Sequence, residues 1–372
     1  MKTIKLFIVA GMILFSNNFY GQLEEHKNFP TQFSFVYPLG TSWVQSTDYQ
    51  FNFSLNALAG NTGGVMGCEI GGLMNMNEGN VTGLQVGGIY NMTNGNVTGL
   101  QTGGILSLSK NIKGAQINGI FSKSANVIGF QLSGIANLAN GNFTGMQLGG
   151  ISNLADSVTG MQLSGIFNNA STVKGVQISG ILNHTKSLKG VQIGLINIAD
   201  SVENGAAIGL ISFGLKNFYN EWEISFADYM NVGVSYRLGT KQFYNIYSVG
   251  YNFLKDNLWI AGFGFGHIHN LSDKFAFRPE VVCYGYFPNN WYDIVRDTYA
   301  AHIKLGVVYR ISEHVALSLA PEIYGSLKSN RGFLDTYGYE QSPVHSFTQY
   351  KPLYSNSLLE MGLGLSFGIN IK

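Results

Sequence analysis

A unit of 15 or 16 residues recurs ten times between residues 65 and about 214, and this repeat limits what the chain can become. The leading glycines are Gly67, Gly83, Gly99, Gly114, Gly129, Gly145, Gly160, Gly175, Gly190 and Gly205. Eight units carry glutamine two residues later: Gln85, Gln101, Gln116, Gln131, Gln147, Gln162, Gln177 and Gln192. The first unit has Glu69 at that place and the last has Ala207, so the ends degrade as the caps of an array do. A unit this short cannot bury a core alone, and its neighbours must stack on it.

A typical unit runs Gly83, Leu84, Gln85, Val86, Gly87, Gly88, Ile89, Tyr90, Asn91. The mid-unit Gly-Gly or Ser-Gly pair suits a tight corner that a side chain would obstruct. The polar run Thr93-Asn94-Gly95-Asn96 suits a second one. Short β-forming stretches lie between the corners, which predicts a β-solenoid with coils about 4.8 Å apart and equivalent residues in columns. The eight glutamines would then form one amide ladder, and Asn75, Asn91, Asn137, Asn153, Asn168 and Asn183 another. Such ladders explain a repeated amide without a ligand. The alternative makes each unit one barrel strand plus a turn, which its length also allows. That arrangement would turn Gly88, Gly150 and Gly165 toward lipid and make upper and lower connections alike, so the solenoid is favoured.

Residues 215–372 have another character. Leu359, Met361, Leu363, Leu365, Phe367, Ile369 and Ile371 alternate with Glu360, Gly362, Gly364, Ser366, Gly368, Asn370 and Lys372. Tyr299, Ala301, Ile303, Leu305, Val307 and Tyr309 alternate likewise with His302, Lys304, Gly306 and Arg310. One face is large and apolar; the other is glycine, small polar residues and isolated charges. That pattern fits an antiparallel outer-membrane-type barrel with a narrow lumen. Eight such segments are expected here. Residues 22–64 hold two more alternating stretches, around Phe33 and Tyr49–Ala57, and are assigned to the same barrel, for about ten strands. Long connections at 288–297 and 328–356 alternate with short ones at 269–273 and 312–313, which sets the C-terminus on the periplasmic side. Arg278, Glu280, His302, Lys304, Arg310, Glu322 and Glu360 fall on the small-residue face. They are expected to pair as a network that closes the lumen, because an unpaired buried charge is costly.

The first residues read as an export signal. Lys2 and Lys5 precede a ten-residue apolar or small run from Leu6 to Phe15, about half of what a membrane helix needs. Cleavage is expected after Gly21 or Gln22, giving a 1–21 signal peptide, and no cysteine stands there to be lipidated. No later apolar run is long enough for a transmembrane helix, so contact with a membrane would require a closed barrel. Charged residues are 12% of the chain, about half the usual ~25%, and the net charge is +1, which speaks against a nucleic-acid partner.

Motifs for chemistry are missing. There is no phosphate loop, no Gly-x-Ser-x-Gly elbow and no Gly-Gly-x-Gly-x-Asp calcium pattern; Gly262, Gly264 and Gly266 alternate with Phe263 and Phe265 as a strand face. His267 and His269 share a face, but no carboxylate or cysteine nearby completes a metal set. Cys68 and Cys283 read as small apolar fillers. Asp156-Ser157-Val158 and Asp200-Ser201-Val202 match a short O-glycan acceptor pattern of exported bacteroidete proteins. No catalytic, cofactor-binding or metal residue is assigned. The expected role is a non-enzymatic structural or adhesion-type protein of the Gram-negative outer membrane or cell surface, in contact with outer-membrane lipid. The alternative is a larger pore or transporter in which the repeats are barrel strands.

The repeat resembles a family of uncharacterised bacterial surface-repeat proteins of bacteroidete type. The matching residues are the Gly-x-Gln-x-Gly/Ser-Gly-Ile-x-Asn units. They are flanked by Phe35-Val36-Tyr37-Pro38-Leu39-Gly40 before the array, and by Gly209-Leu210-Ile211-Ser212-Phe213 and Phe243-Tyr244-Asn245-Ile246 after it. The resemblance covers most of the mature chain and implies an envelope location. It supplies no catalytic residues. One departure concerns the barrel: the chain ends Ile371-Lys372, and its nearest aromatic is Phe367.

Overall fold

A computed structural model describes residues 27–254, 257–288, 298–329, 346–350 and 357–372. The expected signal peptide and most of the two long connections lie outside the described residues. The chain is all-β and combines a β-solenoid of about 11 turns with a closed antiparallel eight-stranded barrel.

Within residues 27–166 successive coils pair in parallel and in register. Gly83 faces Gly99, and Gln85 faces Gln101. The same register holds from Gly99–Gln116 through Gly114–Gln131. It continues through Gly129–Gln147 and Gly145–Gln162. Two columns of glycine explain why the pattern is fixed. The leading glycines from Gly67 to Gly190 have φ between 115° and 145°, where a side chain is strained. A Cβ on Gly145 would also collide with the carbonyl oxygen of Gly129 in the neighbouring coil. At the second column, a Cβ on Gly88 would meet the Gly72 carbonyl oxygen in the same way.

The N-terminal strands correct one expectation. Lys27–Val36 pairs in parallel with Tyr49–Thr62, and Tyr49–Thr62 pairs in parallel with Gly64–Gly71. They therefore open the solenoid and are not barrel strands. Their alternation of large and small residues suits either setting, and only the parallel partner distinguishes the two.

Within residues 167–372, Phe167–Ser179, Leu182–Ile193, Ile196–Ile208 and Ile211–Lys216 continue the parallel coiling. The barrel follows. Its strands are Tyr219–Ala227, Val232–Gly239, Tyr244–Asn252, Leu258–Gly266, Phe275–Pro288, Thr298–Arg310, Val315–Ser329 and Ser357–Ile371. Each pairs antiparallel with the next, and the last pairs with the first, Phe367 facing Phe226, so the barrel has no free edge. Even parity brings the start of the first strand and the end of the eighth to the same rim.

The last coil ends against this barrel. Ile211–Lys216 packs on the second and third barrel strands. In earlier coils the corner carbonyl accepts from the coil above, as Leu195 O does from Leu210 N. Leu210 O has no coil above it. It accepts instead from Asn245 Nδ2 at 2.7 Å and from the Tyr247 hydroxyl, while Gly209 O accepts from Asn245 Nδ2 at 2.9 Å. The barrel wall thus caps the array and covers part of the exposed strand edge.

Gly145→Ala should destabilise the array by more than about 1–3 kcal/mol, the cost of a strained φ alone, because the collision with Gly129 adds to it. The control Asn94→Ala should change little. Urea midpoints for protease resistance of residues 80–160 in the detergent-purified chain would check both.

Candidate functional site

Three places could carry function: the interior of the array, the barrel lumen and the outer columns of the coils. The interior of the array combines a buried apolar column, with Val81, Val97, Ile112 and Val127 among its members, and columns of buried amides. Gln85, Gln101, Gln116, Gln131, Gln147, Gln162, Gln177 and Gln192 are all fully buried. Six of these amides donate to the glutamine before them: Gln101 to Gln85 at 2.7 Å, Gln116 to Gln101 at 2.8 Å, and Gln131 to Gln116 at 2.8 Å. Gln147 donates to Gln131 at 2.9 Å, Gln162 to Gln147 at 2.8 Å, and Gln192 to Gln177 at 2.8 Å. The asparagine column does two jobs. Asn75 donates to Asn91 Oδ1 at 2.9 Å and also to Val86 O, tying one side of the coil to its corner. Asn137, Asn168 and Asn183 repeat the arrangement. Where the column turns to Ser107 and Ser122, Asn118 moves in from the neighbouring column and bonds both hydroxyls.

Glu69 begins the glutamine ladder, and its chemistry suits that place. A run of amides that each donate toward the N-terminus needs only acceptors at its start. Glu69 takes Gln85 Nε2 at 2.8 Å, Asn77 Nδ2 at 2.7 Å and Asn56 Nδ2 at 3.2 Å. Burial pushes this carboxyl up to about 7; the hydrogen bonds from Asn77, Gln85 and Asn56 pull it down and only partly offset the desolvation.

The barrel lumen is filled by two clusters. In the first, Arg237 meets Glu223 at 2.5 Å and Glu280 at 2.7 Å; Arg278 meets Glu221 at 2.6 Å and Glu223 at 2.7 Å. Tyr244 donates to Glu280, and Asn370 accepts from Arg278. In the second, Glu322 holds Lys304 at 3.1 Å and His302 at 2.8 Å. The turn between the first two barrel strands reaches into this cluster. Its Tyr229 and Met230 are buried, and the Tyr229 hydroxyl accepts from Lys304 and donates to Tyr284. The glycines of the inner face make room for these groups. A Cβ on Gly262 would strike Tyr284, one on Gly362 would strike Tyr324, and one on Gly250 would strike Met230.

Of the charges singled out in the sequence, Arg278, Glu280, Lys304 and Glu322 lie in these clusters, and so does His302. Arg310 does not: it closes the sixth strand at the rim, where its guanidinium bonds Ser272 O, Asp273 O and the Asn270 side chain. Glu360 pairs by its backbone with Ser326, and its side chain lies outside the described residues. Sequence reasoning missed Glu221, Glu223 and Arg237. The period-two placing of Glu221, Glu223 and Ser225 was the available signal, in strands too short to stand out alone.

His267 bonds Gln242 O and sits 6.4 Å ring to ring from His269. Among the described residues no three or more His, Cys, Asp or Glu side chains are grouped to hold a metal. Cys68 and Cys283 are both free thiols, the first half-buried in an outer column of the array and the second exposed on the fifth barrel strand. Asp156 is exposed at a coil edge. Comparison with protein-family models, with curated proteins and with solved structures gave no match.

The folded state holds the Glu69 proton more tightly than the unfolded chain does. Stability of the array should therefore fall as pH rises from about 4.5 to about 7 and level off above that. Glu69→Gln should flatten this slope, read as urea midpoints for protease resistance of residues 49–103. Arg278→Met should cost about 3–5 kcal/mol in barrel unfolding, since it leaves Glu221 and Glu223 with only Arg237 as a close cation.

Proposed function

We propose that this chain is a non-enzymatic protein of the Gram-negative outer membrane, anchored by its eight-stranded barrel and presenting the repeat array as a scaffold. One observation carries the reading. The outward residues of the barrel are large and apolar yet exposed, among them Ile224, Val249, Val281, Ile303, Leu319 and Leu363, while the charges are turned inward. Water on the outside would make this a very large apolar patch for a soluble protein; lipid makes it the ordinary solution. Aromatic residues gather toward both rims. Trp222 pairs with Tyr236, and Phe275 with Tyr309, at one end. Tyr251 pairs with Trp259 toward the other. That distribution matches the interfacial girdles of membrane barrels.

A pore is a weaker reading, because the lumen is occupied by Arg237, Arg278, Tyr229, Tyr284 and their partners. Strand parity and loop length favour a periplasmic array. The long connections 289–297 and 330–356 leave one rim, whereas the array joins the first strand at the other. This favours scaffolding inside the envelope over adhesion outside it.

The chain should stay in the membrane pellet after carbonate washing, and planar bilayers containing it should show no steady conductance. Protease added to intact cells should release no fragment from residues 80–200, and protease added after opening the outer membrane should. Recovery of the chain in the soluble fraction would overturn the membrane reading; cleavage on intact cells would overturn the periplasmic placing.

A further inference from the structure

The coils of the array bury amide ladders beside an apolar column that includes Val173, Leu188 and Val202, and they also carry large apolar residues on the outside. Five outward columns follow one another around each coil. In residues 167–216 they contain Val176, Val191 and Ala206; Ile178, Ile193 and Ile208; Ile181, Leu195 and Leu210; Leu182, Ile196 and Ile211; and His184, Ile198 and Phe213. Ile181 is 46% exposed, Leu195 48% and Leu210 46%, so no described residue covers this face. None of these columns holds a formal charge here. Lys174, Lys186, Lys189 and Glu203 are exposed on the remaining edge of the same coils. Each coil is therefore amphipathic around its circumference.

We infer that this apolar face of the last coils lies in the lipid leaflet beside the barrel, with the lysine-bearing edge toward water. The inference rests on the proposal that the barrel is lipid-embedded. Three observations select lipid as the occupant. First, the face is continuous with the outer wall of the barrel. The last coil packs on the second and third barrel strands, and its Leu210 carbonyl bonds Tyr247, an aromatic of the rim belt beside Tyr236. Phe213 and Leu215 of that coil are exposed at the same rim. Second, the coils meet the condition that hydrocarbon imposes on backbone. Their peptide groups pair from coil to coil, the interior amides Gln177, Gln192, Asn183 and Asn197 are hydrogen-bonded, and the barrel takes the last corner carbonyls. Third, charge is segregated as at a membrane surface, with lysine on the wet edge. The coils of residues 65–166 carry the same five columns, with Lys123 the one charged residue in them, and so the same chemistry.

The test uses the full chain in lipid vesicles. Single cysteines are labelled with an environment-sensitive fluorophore, one at a time. The native Cys283, in a Cys68→Ser background, reports on the barrel exterior. Ile181→Cys and Leu195→Cys report on the apolar face, and Lys189→Cys on the opposite edge; these three are made in a Cys68→Ser, Cys283→Ser background. Quenching by brominated lipid acyl chains is compared with quenching by aqueous iodide. The expected result is strong lipid quenching at positions 283, 181 and 195, and iodide quenching alone at 189. Lipid quenching at 283 with iodide quenching at 181 and 195 would overturn the inference and leave the barrel reading standing. Iodide quenching at all four positions would overturn both. Ile181 and Leu195 are nearly half exposed, so both variants should fold, and a heat-modifiable band on a denaturing gel would confirm that they do.

Discussion

A buried amide must find a partner, and in the array that requirement governs the rest. Gln85 through Gln192 sit where water cannot reach, each with a donor group and an acceptor to satisfy. Parallel stacking in strict register satisfies both at once, since the amide of one coil faces the carbonyl of the coil before it. A slip of one residue would turn the glutamines outward and drive the apolar columns in, leaving every rung broken. The leading glycines enforce the same register by a separate route. Their backbone bends where only glycine is unstrained, and they approach the coil below closely enough to exclude a side chain. Polar pairing and steric exclusion therefore specify one alignment.

A directional ladder also dictates how its ends must differ. Before the first rung the column holds Ser54 instead of another amide, and a carboxyl, which brings two acceptor oxygens, replaces the amide at Glu69. The last rung has no following donor. Ala207 stands in the column beyond Gln192, and the Gln192 side-chain carbonyl oxygen has no partner among the described residues. The strand edge is closed from outside by Asn245 and Tyr247 of the barrel. These are two solutions to one problem, and each places an unusual residue where the repeat stops.

Much of this was legible in the sequence. The 15-residue period, the glutamine column and the alternation of the last eight strands each repeat often enough to define themselves. What escaped has physical causes. Lys27–Val36 and Tyr49–Thr62 alternate like barrel strands because alternation reports two-sidedness and is silent about the partner. Glu221, Glu223 and Arg237 were missed because their strands are short, and the ion pairs they make with Arg278 and Glu280 join residues 43 to 57 positions apart. Arg310 was misplaced for the opposite reason. Its face was read correctly, but face alone does not say how far along the barrel axis a long side chain reaches. The asparagine column is interrupted by Ser107 and Ser122, and nothing in the sequence pattern showed that Asn118 fills the gap from a neighbouring column.

The two architectures obey one rule by different means. Barrel and array both enclose polar groups and turn large apolar residues outward, and both must then pair the polar groups inside. The barrel closes on itself, so its strand number and its lumen contents are fixed together; Arg237, Arg278 and three glutamates fit one cross-section and no other. The array is open along its axis. Each inner coil brings its own donor, its own acceptor and its own glycine bends, so a coil could be added or removed without changing Glu69 at the start or Asn245 at the close. Length is therefore the property that this part of the chain is free to vary. A surface whose chemistry repeats at every coil suits a role set by extent, as in scaffolding or lipid contact. It does not suit a role that needs one singular constellation of residues.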